Sequence, residues 1–125
     1  MKLKSYLKKR QKAFGYAWTG IRTLFGKEAH AKIHLLAMIL VIIAGFVFRI
    51  DKTEWCLILI CIGIVLMAEG FNTAIERVCD KVSPEKDPLI KDAKDIGAGS
   101  VLLAVMAVIA VGLIIFIPKI IHLFH

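Results

Sequence analysis

Apolar positions along the chain fall into three blocks: Ile33 to Phe48, Trp55 to Ala68, and Ile96 to Ile117, the last without a charged residue. A helix needs about 17 to 25 residues to cross the hydrocarbon of a bilayer. The third block crosses on its own, and the first crosses once His34 and Arg49 sit near its ends. The second has an uncharged run of only 14 residues, so it spans only if its helix continues through Glu69 and Asn72. The pattern therefore predicts an all-α membrane protein with spans over 33–50, 55–76 and 89–118. Ahead of them, Leu3, Leu7, Phe14, Ala17, Trp18, Ile21, Leu24 and Phe25 recur at helical spacing against Lys4, Lys8, Lys12 and Arg22. That spacing predicts a basic amphipathic helix over 1–29, lying on a membrane surface where anionic lipid attracts it. Before the third span, Asp87 followed by Pro88 reads as a helix N-cap with proline at the first helical position.

Composition agrees with a single membrane domain. The chain has 125 residues, of which 58% are hydrophobic, and its mean hydropathy is +0.74. Soluble domains have about 45 to 50% apolar residues. A soluble helical core would leave the third block with nothing large enough to hide it. The net charge of +7 is spread in a way that excludes a nucleic-acid-binding domain: nine of the 17 basic residues precede the first span and the rest flank the others. The link between spans one and two holds only Arg49 and Lys52, whereas the link between spans two and three holds Arg77, Lys81, Lys86, Lys91 and Lys94. By the positive-inside rule the N-terminus and the second link are cytoplasmic. The N-terminus lacks the small-residue cleavage site of a signal peptide. Cys56, Cys61 and Cys79 are odd in number and lack CxxC spacing, which reads as buried thiols.

The candidate chemistry lies at the end of the second span, in "AEGFNTAIERVCD". Glu69, Asn72, Glu76 and Asp80 fall on one helical face. Ionisable groups at membrane depth are costly and usually mark a functional site. Glu76 and Asp80 also read as solvated residues paired with Arg77 or Lys81, and Asn72 as interhelical glue. Carboxylates converging with an amide suit Mg²⁺, which takes one or two carboxylates plus substrate phosphates, and so point to phosphoryl chemistry. In the second link, Lys91 and Asp95 read as an ordinary i, i+4 pair, and Asp92 as a charge favoured near a helix start. Lys94, at the membrane boundary, is placed to contact a phosphate. Glu28 reads as a solvated partner of Lys27 or Lys32. The segment "GIRTLFGK" is not a P-loop: it has five residues between glycines where four are needed, and Glu28 where Ser or Thr is required.

Glu69-x-x-Asn72-Thr73-Ala74-Ile75-Glu76, then Asp80, then Ala93-Lys94-Asp95 and a small-residue patch, together with "GYAWTGIRTLFGKEA", resemble the bacterial integral-membrane diacylglycerol kinase and undecaprenol kinase family. The likeness runs from about Lys9 through Pro118. It implies a homotrimer in the bacterial plasma membrane, with active sites at the cytoplasmic interface and with ATP and Mg²⁺ as co-substrate and cofactor. It implies Glu69 as general base at a lipid alcohol, and Glu28 and Glu76 as metal ligands that also hold the ATP phosphates, which reverses the bland view of Glu28. Asn72 would orient the site. Lys9, Tyr16, Lys94 and Asp95, with the link Glu85, Lys86 and Asp87, would complete the ATP pocket. Trp18, Arg22 and Ala98 would border the lipid. The acceptor implied first is diacylglycerol, giving phosphatidic acid, with undecaprenol as the alternative. The link "DPLIKDAKD" and the ending "IFIPK" look more like the undecaprenol branch, and His30, Ile33 and His34 depart from the Gram-negative pattern. A rival reading is a small ion-coupled carrier or membrane scaffold in which Glu69 and Glu76 relay cations. Such a carrier gives no reason to set Glu28, Lys94 and Asp95 on the cytoplasmic rim.

Overall fold

Four helices account for almost the whole chain in the computed structural model, which describes residues 1–83 and 85–125. They are α1 (Lys2–Lys27), α2 (Ala29–Val47), α3 (Lys52–Val82) and α4 (Pro88–Leu123). By length and composition α2, α3 and α4 are each able to cross a membrane. Their bounds differ from the sequence expectation in an informative way. The sequence pattern ends the second span at residue 76, but α3 runs on to Val82. At 1.5 Å per residue its 31 residues measure about 46 Å, well over the roughly 30 Å of hydrocarbon. The surplus is long enough to carry its polar end beyond such a layer.

Local chemistry sets the helix ends. Asp51 and Glu54 form a reciprocal cap at the start of α3: Glu54 N–H donates to Asp51 Oδ1 at 2.8 Å, and Asp51 N–H to Glu54 Oε1 at 3.1 Å. Asp87 caps α4 as its sequence predicts, accepting from Leu89 N–H at 2.8 Å with Pro88 in the first turn. Between α1 and α2 only Glu28 leaves the helical region, at φ −98° and ψ 119°. Between α2 and α3 the chain reverses through Arg49, whose φ of 52° is left-handed, while Ile50 N–H reaches back to the Gly45 carbonyl at 3.1 Å. Gly45 is required here. A Cβ at that position would come within 2.7 Å of Trp55, which closes the turn against α2.

Packing is concentrated between α3 and α4. At the end of the bundle holding the α2–α3 turn, Ile50, Ile58 and Ile115 are buried among Val41, Phe48, Trp55, Ile62, Val111 and Phe116, and Lys119 reaches Glu54 at 3.0 Å. Most other apolar side chains of α2 and α4 are exposed, including Leu36, Ile43, Leu103 and Ile114, as expected of helices whose solvent is lipid. α1 contributes no buried residue. Leu3, Leu7, Phe14, Trp18 and Ile21 lie bare along it. Only Thr23, Leu24 and Phe25, near its end, are partly covered.

Candidate active site

The opposite end of the bundle holds the polar residues, and α3 places them turn by turn. Glu69 is 4% exposed. Its Oε2 lies 3.4 Å from His34 Nε2 on α2. One turn on, Thr73 is 7% exposed. Asn72 donates through Nδ2 to Glu76 Oε1 at 3.4 Å. Its Oδ1 is buried without a hydrogen-bond partner and points at Gly97 of α4, where a Cβ would collide with it. Such an orphaned acceptor is expensive to bury. It lies in the middle of the acidic stripe, between Glu69 and Glu76 along α3.

The stripe therefore does not act as one face. Glu69 turns toward α2, Asn72 meets α4, and Asp80 pairs with Lys94 of α4. The partner of Asp80 is thus neither Arg77 nor Lys81, and Lys94, expected to be free for a phosphate, is engaged. Glu28 likewise does not pair with Lys27 or Lys32. It accepts from Arg77 Nη2 at 3.1 Å. That bond holds the Glu28 carboxylate against α3 one residue beyond Glu76. Lys91 and Asp95 form the expected i, i+4 pair at 2.6 Å.

Two recesses flank this cluster. A groove of about 1040 Å³ runs between α1 and α3, lined by Tyr16, Thr19, Gly20, Thr23, Leu24, Gly70, Thr73 and Arg77 among others. Gly70 faces Leu24 across it, at a distance where an added Cβ would make ordinary van der Waals contact, 3.7 Å. A second recess of about 580 Å³ is bordered by Asp80, Glu85, Lys86, Asp87, Lys91 and Lys94. It gathers Glu85, Lys86 and Asp87 of the link with both lysines of the first turns of α4. Trp18 and Arg22 stack on one another on α1, 5.9 Å from guanidinium carbon to ring centre. Lys9 is exposed on α1, and Ala98 is exposed beside Gly97. Neither is brought to the Glu69 cluster by a contact within the chain. Among the described residues no three His, Cys, Asp or Glu side chains converge.

Three members of the site escaped the sequence: His34, Thr73 and Arg77. Thr73 carried a signal, since it lies four residues past Glu69 on the same helix. The other two meet their partners only through the fold, Arg77 from 49 residues away.

Three membrane-length helices with a carboxylate–amide cluster at one end define a multi-pass membrane protein with a polar site at its rim. The profile of the family described as Prokaryotic diacylglycerol kinase matches residues 15–116. The chain is 36% identical over 108 residues to the undecaprenol kinase of Bacillus subtilis, covering 86% of this chain and 88% of that protein. It is 32% identical over 112 residues to a diacylglycerol kinase of Synechocystis, covering 89% of this chain and 64% of that protein. It is 31% identical over 98 residues to the diacylglycerol kinase of Escherichia coli K12, covering 78% and 80%. The chain belongs to the prokaryotic diacylglycerol kinase family. It is accordingly a bacterial membrane lipid kinase, which uses ATP and acts on a lipid in the bilayer.

Proposed function

We propose that this kinase transfers the γ-phosphoryl group of ATP to the hydroxyl of undecaprenol, with Glu69 as general base, Mg²⁺ bound between Glu28 and Glu76, and the site open to the cytoplasm. The observation that carries the catalytic reading is the burial of Glu69 at the junction between the oily run of α3 and its polar end. A base placed there meets a hydroxyl held at the membrane boundary. Support for undecaprenol comes from the 36% identical Bacillus protein and from the "DPLIKDAKD" link. Diacylglycerol, the acceptor implied first, is the second reading, favoured by the relatives of that name at 31 and 32% identity.

Phosphoryl transfer needs positioning and charge neutralisation more than covalent help. Glu28 and Glu76 offer hard carboxylate oxygens from two chain segments, and Arg77, next to Glu76 on α3, ties Glu28 to that helix. A pair of carboxylates suits a cation that completes its shell with phosphate and water. Bound there, Mg²⁺ would neutralise charge on the transferred group. Asn72 orients Glu76 through its amide. Lys94 and Asp95, with Lys9, Tyr16 and the link Glu85 to Asp87, hold the nucleotide. Trp18, Arg22 and Ala98 border the lipid. The exposed apolar positions of α1 and α4 fit burial against bilayer and neighbouring protomers, in keeping with a homotrimer. The basic N-terminal segment and second link put this end on the cytoplasmic side.

The deciding experiment gives purified protein equal amounts of undecaprenol and diacylglycerol with labelled ATP and Mg²⁺. A higher kcat/KM for undecaprenol supports the proposal, and a higher value for diacylglycerol replaces it with the second reading.

A further inference from the structure

Buried as it is, Glu69 has one ionic contact from another helix among the described residues: His34 Nε2, 3.4 Å from Oε2. The imidazole is 22% exposed and also lines an apolar cavity of about 300 Å³ shared by α2, α3 and α4, with Met38, Cys61, Val65 and Val105 on its walls. It therefore stands between the carboxylate and a space of hydrocarbon character. The 3.4 Å separation exceeds the 2.7–3.2 Å of an ordinary N–H···O bond. Catalytic contacts are often this loose before substrate binds and tighten in the complex.

We propose that His34 is the positioning residue for Glu69, holding its carboxylate toward the lipid hydroxyl and relieving it of the proton it collects. The inference rests on the reading of Glu69 as general base. As the hydroxyl O–H bond breaks, its proton goes to Glu69. The oxygen lone pair forms the new bond to the γ-phosphorus, and the bond to the bridging oxygen breaks with its electrons leaving on ADP. Once Glu69 is protonated, neutral His34 exchanges its ring hydrogen from Nε2 to Nδ1 through the exposed edge, and the proton then passes from the Glu69 carboxyl to the freed Nε2 lone pair. The carboxylate is thereby restored, and the imidazolium beside it offsets its charge until the proton escapes through the exposed ring edge.

Other titratable or charged groups near these two are occupied or displaced. His30 lies one turn nearer the start of α2 and is exposed. On α3, Glu76 is two turns farther out and bonded to Asn72, and Cys61 is two turns deeper. From α4, Lys94 is engaged by Asp80 and Asp95 by Lys91. From α1, Tyr16 lines the groove beside Gly70 and Arg22 lies over Trp18.

The test compares wild type, His34→Gln, His34→Ala and Glu69→Gln in mixed micelles with ATP and the preferred lipid, measuring kcat and both KM values across the neutral pH range. Glutamine keeps an N–H donor and loses the proton acceptor. His34→Gln is expected to keep the KM for ATP, lose about 10- to 100-fold in kcat, and lose any inflection in the range where imidazoles titrate. His34→Ala is expected to lose more and to recover part of its rate when free imidazole is added. Wild-type rates and pH profiles in both His34 variants, with Glu69→Gln inactive, overturn the role of His34 and leave that of Glu69 standing. A fully active Glu69→Gln overturns both. A slow His34→Ala without imidazole rescue, beside a His34→Gln with the wild-type profile, reduces His34 to packing and also overturns the proposal.

Discussion

Arg77 on α3 donates to Glu28, the single non-helical residue between α1 and α2, at 3.1 Å. The guanidinium occupies a carboxylate that the proposed mechanism needs for a cation, so the two must compete or share. The arginine side chain is 47% exposed and the glutamate 27%, and exposed pairs contribute under about 1 kcal/mol. Arg77→Ala should therefore lower the Mg²⁺ concentration for half-maximal activity, by no more than about fivefold. Glu28→Gln should raise it at least tenfold. Mg²⁺ titrations of ATP turnover at saturating lipid measure both.

Glu69→Gln preserves shape and removes the base. The expected loss is about 10²- to 10⁴-fold in kcat with little change in the KM for ATP, since ATP is assigned to residues of α1, the second link and α4 and, on α3, to Glu76 two turns farther along. Steady-state kinetics with each substrate varied in turn distinguish this from a binding defect.

How much of this was legible beforehand depends on range. The three membrane-length helices and the helix ahead of them follow from runs and spacings of apolar residues, and Asp87-Pro88 marks the start of α4, because these signals lie within a few residues of what they determine. The position of Glu69 on the polar end of a spanning helix was legible for the same reason. The partners of the charged residues were not. Local spacing offered Arg77 or Lys81 to Asp80 and Lys27 or Lys32 to Glu28, and the fold supplied Lys94 and Arg77 instead. Those pairs follow from how α3 sits against α4 and against the α1–α2 junction, which helical periodicity does not encode.

The pairing of Lys94 with Asp80 divides two effects that sequence alone merges. If Lys94 binds ATP phosphate, Lys94→Ala should raise the KM for ATP about tenfold or more, since charge-assisted contacts to phosphate are among the strong ones. Asp80→Asn removes only the tether and should change it by a factor of about two or three. ATP titrations of the two variants check the ordering, and equal effects would assign the work to the pair as structure.

Gly97 tests the closeness of α3 and α4. Alanine there improves helix propensity by about 1 kcal/mol, yet its methyl would strike Asn72 Oδ1 and push an amide that also holds Glu76. Gly97→Ala should therefore cost activity out of proportion to stability. A tenfold or greater fall in kcat alongside a Tm within a few degrees of wild type is the expected result, read from turnover and thermal unfolding in the same detergent.

The bare apolar side chains of α1 have a practical consequence. Leu3, Leu7 and Phe14 are exposed, and the same helix carries Tyr16 and Thr19 on one wall of the large groove. One side of that groove is thus held in place by whatever amphiphile surrounds the protein. A turnover number obtained in a micelle belongs to protein and detergent jointly, and exchanging one headgroup for another acts on the enzyme as a mutation of α1 would.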